Sequence, residues 1–207
     1  MGKTLGMLLL AVFVAFMGKA LFRAYWKYEA THGVAVSYET DSKRGCENGD
    51  SEACRTMWRQ CQNGNFEACK NLMERLEEGC DFKVAIDCHN LGVMYEEGHG
   101  TEMDYKKATE YYQKTCNMGE GSGCLSYGNI YQFGRGVKVN YSKAREYYEK
   151  ACNIKNETAC LMLGVLYTLG EGVRIDFKKA MEYYGKACDL EEQRGCEMYK
   201  ELYLKTQ

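Results

Sequence analysis

The chain has 207 residues and a formal net charge of −2, and its 12 cysteines and 17 tyrosines contrast with 3 histidines and no proline. Scattered glycine without proline favours helices joined by glycine turns over a loop-rich β-sandwich. A weakly acidic chain is a poor ligand for a polyanion, so the composition argues against a nucleic-acid-binding protein.

Residues 1–20 have the pattern of a secretory signal peptide, with Lys3 before an apolar run at residues 5–17 and a cleavage site expected after Ala20. The run is shorter than the roughly 20 apolar residues of a membrane-spanning helix, but apolar residues continue past this site, so an uncleaved anchor is the alternative. We therefore expect a secreted or periplasmic protein, with membrane contact only through this segment. Residues 21–45 match no pattern and would fit either a packed N-terminal segment or a tether.

The twelve cysteines form six pairs of identical C-x7-C spacing. Eight residues of unbroken helix would separate the two Cα atoms by roughly 12 Å, whereas a disulfide needs about 4.4–6.8 Å, so each pair must span a turn. Turn-forming residues such as Gly64 and Asn156 lie between partners. An even number of cysteines in an exported chain indicates disulfides. The predicted pairs are Cys46–Cys54, Cys61–Cys69, Cys80–Cys88, Cys116–Cys124, Cys152–Cys160 and Cys188–Cys196.

The same spacing argues against metal, haem and redox centres. The sequence has no C-x2-C, the usual element of zinc and thiol-redox sites, and Ala85 stands where a c-type haem site ending at His89 would need a cysteine. His32, His89 and His99 form no H-x-H or H-E-x-x-H motif, and His99, between two turn glycines, is expected to be exposed. We predict no metal and no cofactor.

From Cys80 onward the sequence repeats every 36 residues, which gives three full copies and a partial fourth over residues 80–204. In the first copy a helical stripe ends near Gly98, and its members are Cys88, Leu91, Gly92 and Tyr95. A second stripe follows Asp104 as N-cap, and its members are Tyr105, Ala108, Tyr112 and Thr115. Each copy is therefore predicted to be a helical hairpin. Since one hairpin cannot bury both faces, neighbours must stack into a solenoid.

Two further features complete this pattern. Residues 46–79 keep the cysteine pairs but repeat after 15 and then 19 residues, so we expect an atypical, short, cysteine-paired helical cap there. Each full copy has a tyrosine doublet, at 111/112, 147/148 and 183/184. One ring of each doublet is expected to pack between repeats, and the other to lie on the rim with its hydroxyl in water.

The segments LGVMYEEGHGTEMDYKKATEYYQKTC, YGNIYQFGRGVKVNYSKAREYYEKAC and LGVLYTLGEGVRIDFKKAMEYYGKAC resemble Sel-1-like repeats, which are relatives of the tetratricopeptide hairpin. The C-x7-C pairs are similar to those of the Helicobacter cysteine-rich protein family of secreted repeat proteins. The resemblance covers residues 80–204 and implies an all-α superhelix of hairpins stapled by disulfides. It also implies a monomer that binds a protein or an extended peptide in a concave groove.

The resemblance to tetratricopeptide hairpins places the groove contacts on the first helix of each copy, at positions that differ between copies. They are His89, Val93, Glu96, Leu125, Asn129, Gln132, Leu161, Val165 and Thr168. The mixture of apolar and amide side chains suits a peptide or protein loop better than a charged polymer. Replacing Asn129 and Gln132 together is expected to weaken partner binding without unfolding the chain.

Members of the cysteine-rich family have been described as penicillin-binding proteins and slow β-lactamases, so the resemblance also implies an alternative hydrolase function. The sequence has neither the S-x-x-K nor the K-T-G motif of serine β-lactamases. If every cysteine is paired, no thiolate remains as a nucleophile. We therefore predict an interaction scaffold without catalytic residues, and a weak β-lactamase or cell-wall-directed hydrolase as the alternative.

Overall fold

The computed structural model describes residues 51–206, and this range contains nine α-helices and no β-strand. In chain order they are α1 (Ser51–Gln62), α2 (Phe66–Asp81), α3 (Ala85–Glu97), α4 (Tyr105–Asn117), α5 (Gly121–Phe133), α6 (Tyr141–Asn153), α7 (Glu157–Leu169), α8 (Phe177–Asp189) and α9 (Gln193–Lys205). The predicted all-α fold of disulfide-linked hairpins is confirmed. Within this range no helix is both long and apolar enough to cross a bilayer. The predicted segments 1–20 and 21–45 and Cys46 lie outside the described residues.

From α3 onward the helices form three hairpins, α3–α4, α5–α6 and α7–α8, and α9 follows as the first helix of a fourth. Each first helix ends at a glycine in the left-handed conformation, which a residue without Cβ adopts at little cost. These glycines are Gly98, Gly134 and Gly170, with φ of 73°, 67° and 75°. Each second helix starts at a side chain that accepts a hydrogen bond from the backbone N–H three residues on. These caps are Asp104, Asn140 and Asp176.

Inside each hairpin the two helices touch through a glycine and a tyrosine ring. A Cβ atom on Gly128 would lie 2.5 Å from Cε1 of Tyr148, closer than side-chain atoms pack. The same contact recurs at Gly92–Tyr112 and at Gly164–Tyr184. All three rings are at most 1% exposed. The buried ring of each doublet therefore contacts the first helix of its own hairpin. Tyr112 and Tyr148 also belong to core clusters that include buried residues of the next hairpin.

Five disulfides lie within the described range, each between cysteines eight positions apart, with Cα–Cα distances of 4.5–4.8 Å. Four of them join one helix pair to the next across a short turn, and these are Cys80–Cys88, Cys116–Cys124, Cys152–Cys160 and Cys188–Cys196. Cys61–Cys69 instead joins α1 to α2 within one pair. Cys54 is also disulfide-bonded, and its predicted partner lies outside the described residues.

The turn of each hairpin rests on the helix pair before it. A Cβ on Gly136 would lie 2.4 Å from the Cβ of Tyr105, at the start of α4. A Cβ on Gly100 would lie 2.3 Å from the Cβ of Cys69, in α2. Helix α2 thus supports the first hairpin as α4 supports the second. Only residues 63–65 join α1 to α2, so the longer loop of the later hairpins is absent from this pair.

Gly128→Ala is expected to lower the free energy of unfolding by about 1–3 kcal/mol, because the added methyl group overlaps the Tyr148 ring. Gly185→Ala is the matched control in α8, since the nearest side-chain atom, Cδ2 of Tyr199, lies 3.7 Å from the added Cβ. This control should be neutral or stabilise the protein by up to about 1 kcal/mol. Urea unfolding of the oxidised proteins measures both changes. Equal losses would show that the ring contact does not set the distance between the two helices.

Candidate partner-binding surface

The nine residues predicted to contact a partner lie at equivalent positions of α3, α5 and α7. These helices have equal length and a common 36-residue spacing, so the nine side chains share one side of the stack. We call this surface the first-helix face. Two of its members, Gln132 and Leu161, are buried. The other seven are half-buried, and they are His89, Val93, Glu96, Leu125, Asn129, Val165 and Thr168.

His89 connects the first helices of two consecutive hairpins. Its Nε2 lies 3.1 Å from Oγ of Ser126 on α5, and its ring centre lies 5.4 Å from that of Tyr112. Burial lowers the pKa of His89 below its usual 6.5, and the carboxylates of Glu120 and Glu96 only partly oppose that shift. The imidazole is therefore neutral at neutral pH, and its bond to Ser126, which the sequence did not indicate, joins α3 to α5.

The position occupied by Glu96 holds the hydroxyl of the buried tyrosine in each hairpin. The Tyr112 hydroxyl donates a hydrogen bond to Oε2 of Glu96 at 2.6 Å. The equivalent pairs are Tyr148 with Gln132, at 2.5 Å, and Tyr184 with Thr168, at 3.0 Å. This position varies between hairpins because different polar groups can satisfy the same buried phenol. The variation at this position therefore has a structural cause, whereas in the sequence analysis it was interpreted only as a sign of partner binding.

Asn129 and Gln132 share one hydroxyl. The Tyr148 hydroxyl lies 2.7 Å from Oδ1 of Asn129 and 2.5 Å from Oε1 of Gln132, but its single proton can serve only one oxygen. The amide nitrogen of Gln132 donates to Glu171 at 3.4 Å, which turns the Gln132 oxygen toward Tyr148. The Asn129 oxygen competes with Gln132 for that proton, and the Asn129 NH2 group has no hydrogen-bond partner within residues 51–206.

This geometry corrects the expectation for the double substitution of Asn129 and Gln132. Both amides bond the buried Tyr148 hydroxyl, so removing both leaves that group without a partner and costs about 1–3 kcal/mol. Weaker partner binding in such a variant could then reflect a less stable chain. A substitution of Asn129 alone retains the bond between Tyr148 and Gln132.

The first helices of the first two hairpins, α3 and α5, also contact the turn of the next hairpin. Arg135, between the turn glycines of the second hairpin, forms an ion pair with Glu96 of the first. Glu171 occupies the equivalent place in the third hairpin and accepts the hydrogen bond from Gln132. Arg135 and Glu171 were not among the residues predicted from the sequence, although the charge at this position changes between copies. The contacts fix the edge of the first-helix face.

His99 occupies the same turn position in the first hairpin and was expected to be exposed. Its side chain is only 25% exposed, and Nε2 bonds Oε2 of Glu97 at 2.7 Å. The ring also packs edge-on against Trp58 of α1, with centroids 6.0 Å apart. The prediction of an exposed histidine is therefore wrong.

Across residues 51–206, no three His, Cys, Asp or Glu side chains are grouped so that they could hold a metal ion.

The second ring of each tyrosine doublet, like the buried one, is held by packing. The Tyr147 ring stacks on Tyr131 with an interplanar angle of 8°, and the ammonium groups of Lys143 and Lys150 lie over the two rings at 4.8 and 4.6 Å from their centroids. The pairs Tyr95–Tyr111 and Tyr167–Tyr183 stack in the same way. Rings covered by neighbours in this manner stabilise the hairpin and offer little open surface for stacking bases or sugars.

Comparison with known families agrees with this architecture. The Sel1 repeat model matches residues 85–120, 121–156 and 158–191, which together make up just over half of the chain. The chain therefore belongs to the Sel1 repeat family. Each matched segment covers one helical hairpin and the turn that follows it. A search of curated proteins finds no match.

Solved structures show the same fold. A protective antigen of uropathogenic Escherichia coli with an SLR fold is 26% identical at a TM-score of 0.65, and the match covers 78% of this chain and 35% of that one. A Sel1 repeat protein of Oxalobacter formigenes is 21% identical at a TM-score of 0.64, with 86% and 74% covered. Helicobacter pylori cysteine-rich protein B is 28% identical at a TM-score of 0.50, with 61% and 96% covered. The chain thus spans about a third of the length of the E. coli antigen.

Tyr148→Phe is expected to lower the free energy of unfolding by about 1–3 kcal/mol, because Gln132 and Asn129 both lose their hydroxyl partner. Tyr184→Phe is the matched control. The Thr168 hydroxyl keeps its 2.8 Å bond to the Gly164 carbonyl, so the loss should be about 0.5–1.5 kcal/mol. Denaturant unfolding of the two variants measures the difference. A smaller loss for Tyr148→Phe than for Tyr184→Phe would contradict the hydrogen-bond network described above.

The free energy of unfolding should fall as the pH drops below 6.5, in part because of His89. The pKa of His89 is lowered in the folded chain. At pH values between this lowered pKa and 6.5, His89 is protonated in the unfolded chain but neutral in the folded chain, so protonation favours unfolding. The slope from this one group cannot exceed about 1.4 kcal/mol per pH unit. Unfolding of the wild type and of His89→Gln at several pH values measures it. Parallel curves for the two proteins would exclude His89 as the source.

Proposed function

We propose that this protein is a secreted or periplasmic disulfide-rich scaffold that binds a protein partner, as an extended peptide, along the first-helix face. Sel1 repeat proteins generally mediate protein interactions. The observation that carries the proposal for this chain is the row of half-buried apolar and amide side chains on α3, α5 and α7. The face forms the concave side of the curved stack that such repeats build.

Asn129 supports a peptide as the ligand. Its NH2 group can donate to the C=O of a peptide unit, and the second lone pair of its carbonyl oxygen can accept the N–H, so one side chain can make two hydrogen bonds to an extended backbone. Leu125 and Val165 are half-buried beside it on α5 and α7, and they suit apolar side chains of the same peptide. Because the second-helix tyrosines and the turn contacts hold the surrounding side chains, little ordering is needed on binding.

Several features support export. The five disulfides of the described range belong in an oxidising compartment, since thiols stay reduced in most cytosols. The signal-peptide pattern of residues 1–20 also indicates export.

A single stack with an accessible first-helix face can bind its partner as a monomer, without a second copy.

Asn129→Ala is expected to lower partner affinity about tenfold, because two hydrogen bonds to the peptide are lost. The fold should lose about 1 kcal/mol at most, since Gln132 still accepts the Tyr148 proton. The partner is first captured with a photo-crosslinking residue at Val165 in the native compartment, and its affinity is then measured by calorimetry. Crosslinking from Ile154, an exposed residue in a turn between hairpins, is the control. Equal capture from Ile154, or unchanged affinity of Asn129→Ala, would contradict the proposed surface.

A serine hydrolase acting on β-lactams is the second candidate, because Nε2 of His89 lies 3.1 Å from Oγ of Ser126. At that distance an imidazole can take a hydroxyl proton. A chromogenic cephalosporin assay on the oxidised protein tests this function, with Ser126→Ala as the control. The scaffold proposal expects the same background rate for both proteins. Turnover by the wild type that disappears in Ser126→Ala would establish the hydrolase and contradict a purely binding role.

A further inference from the structure

A cationic cleft lies where the turn of the third hairpin meets α6. Its volume is about 430 Å³, and its lining includes Arg145, Arg174 and Lys179 together with Tyr167 and Ile175. Arg145 belongs to α6, Lys179 to α8, and Arg174 to the turn between α7 and α8. Three positive side chains from two hairpins thus line one opening, which shares no residue with the first-helix face.

Neighbouring carboxylates compensate this charge only in part. Glu149 contacts Nε of Arg145 at 3.6 Å, and the Arg145 side chain remains 34% exposed. Asp176 also lines the cleft, but its carboxylate accepts the backbone N–H of Lys179 at 3.0 Å as the cap of α8. In the described part of the chain, neither Arg174 nor Lys179 has a carboxylate within ion-pair distance, although the Lys179 ammonium lies over the Tyr167 ring and helps to lower the pKa of Glu182. The cleft therefore presents positive charge to solvent.

The other hairpins lack this combination. The residue 36 positions before Arg145 is Thr109, so the place where the turn of the second hairpin meets α4 has one cation fewer. Glu102 stands two repeats before Arg174, so the first hairpin carries a negative charge in its turn. Among the three described hairpins, the third alone combines an arginine from the helix before it with an arginine in its own turn and a lysine at the start of its second helix.

Exposed apolar side chains lie beside the cleft. Ile175, which lines it, is 58% exposed, and the neighbouring Leu169 is 59% exposed. Phe133 and Val139 occupy the corresponding places in the second hairpin and are 54% and 44% exposed. We call these four side chains the turn edge. Exposed apolar groups interleaved with cations are typical of protein surfaces that contact anionic bilayers.

We propose that this cleft binds the phosphate group of an anionic membrane lipid, while the turn edge contacts the bilayer surface. Arg145, Arg174 and Lys179 would take the phosphate oxygens, for which guanidinium groups supply paired donors. Leu169 and Ile175 would enter the boundary between headgroups and acyl chains, a contact that free phosphate cannot offer. This membrane contact is additional to the one expected from residues 1–20 and independent of the first-helix face.

Co-sedimentation of the full oxidised chain with vesicles tests the proposal. The vesicles contain phosphatidylcholine alone or phosphatidylcholine with phosphatidylglycerol. Because the apolar run at residues 5–17 can enter either membrane, the readout is the ratio of the two partition coefficients. Replacing both Arg145 and Arg174 by glutamine should reduce this ratio about 25-fold, at about fivefold per cation. Ile175→Ser, which keeps every charge, should weaken binding to the anionic vesicles about threefold.

The matched control is Lys70→Gln together with Lys200→Gln, which makes the same change in net charge on exposed helix positions that belong neither to the cleft nor to the turn edge. Its ratio should stay within about twofold of the wild type. A cleft variant that behaves like this control would overturn the proposal. Displacement from vesicles by millimolar inorganic phosphate at constant ionic strength would overturn it in favour of a soluble phosphate ligand. Displacement by poly-glutamate would overturn it in favour of an acidic protein segment.

Discussion

The disulfide across each turn between hairpins is the constraint on which the rest of the structure depends. It holds the second helix of one pair against the first helix of the next, with Cα atoms 4.5–4.8 Å apart. Closing a loop of nine residues contributes about 2.5 kcal/mol through the unfolded chain, which is large beside the roughly 5–15 kcal/mol stability of a domain. Successive first helices are therefore held in register, and a surface that spans several hairpins exists before any partner binds.

Within each hairpin a second contact connects packing to the surface. The Tyr148 ring lies on Gly128, and its hydroxyl reaches across to Gln132 and Asn129. The buried Tyr148 hydroxyl thus needs a polar partner on the first-helix face, and its hydrogen bonds orient the side chains that supply this partner. Gln132 then continues the network to Glu171 in the next hairpin. The same residues stabilise the stack and shape the surface, so a binding test must use positions such as Asn129 that can be changed with little loss of stability.

Local features of the fold could be predicted from the sequence because they depend on neighbouring residues. The caps at Asp104 and Gly98, the hairpins and the eight-residue cysteine spacing belong to this group. Contacts between hairpins could not be predicted. Arg135 pairs with Glu96, which lies 39 positions earlier in the sequence. This pairing depends on how one hairpin is aligned against the next, and the 36-residue period alone does not define that alignment. The cationic cleft also needs two hairpins in contact, and His99 packs against Trp58 of α1, which lies before the first 36-residue copy.

Disulfide mapping by mass spectrometry of the protein digested under non-reducing conditions shows whether the disulfides set the register of the stack. We expect cysteines eight positions apart to be linked, with no free thiol, and these links include Cys80–Cys88, Cys116–Cys124, Cys152–Cys160 and Cys188–Cys196. Free thiols, bound zinc, or links between cysteines of different pairs would contradict it. Any of these results would remove the register that holds the first-helix face and the cationic cleft together.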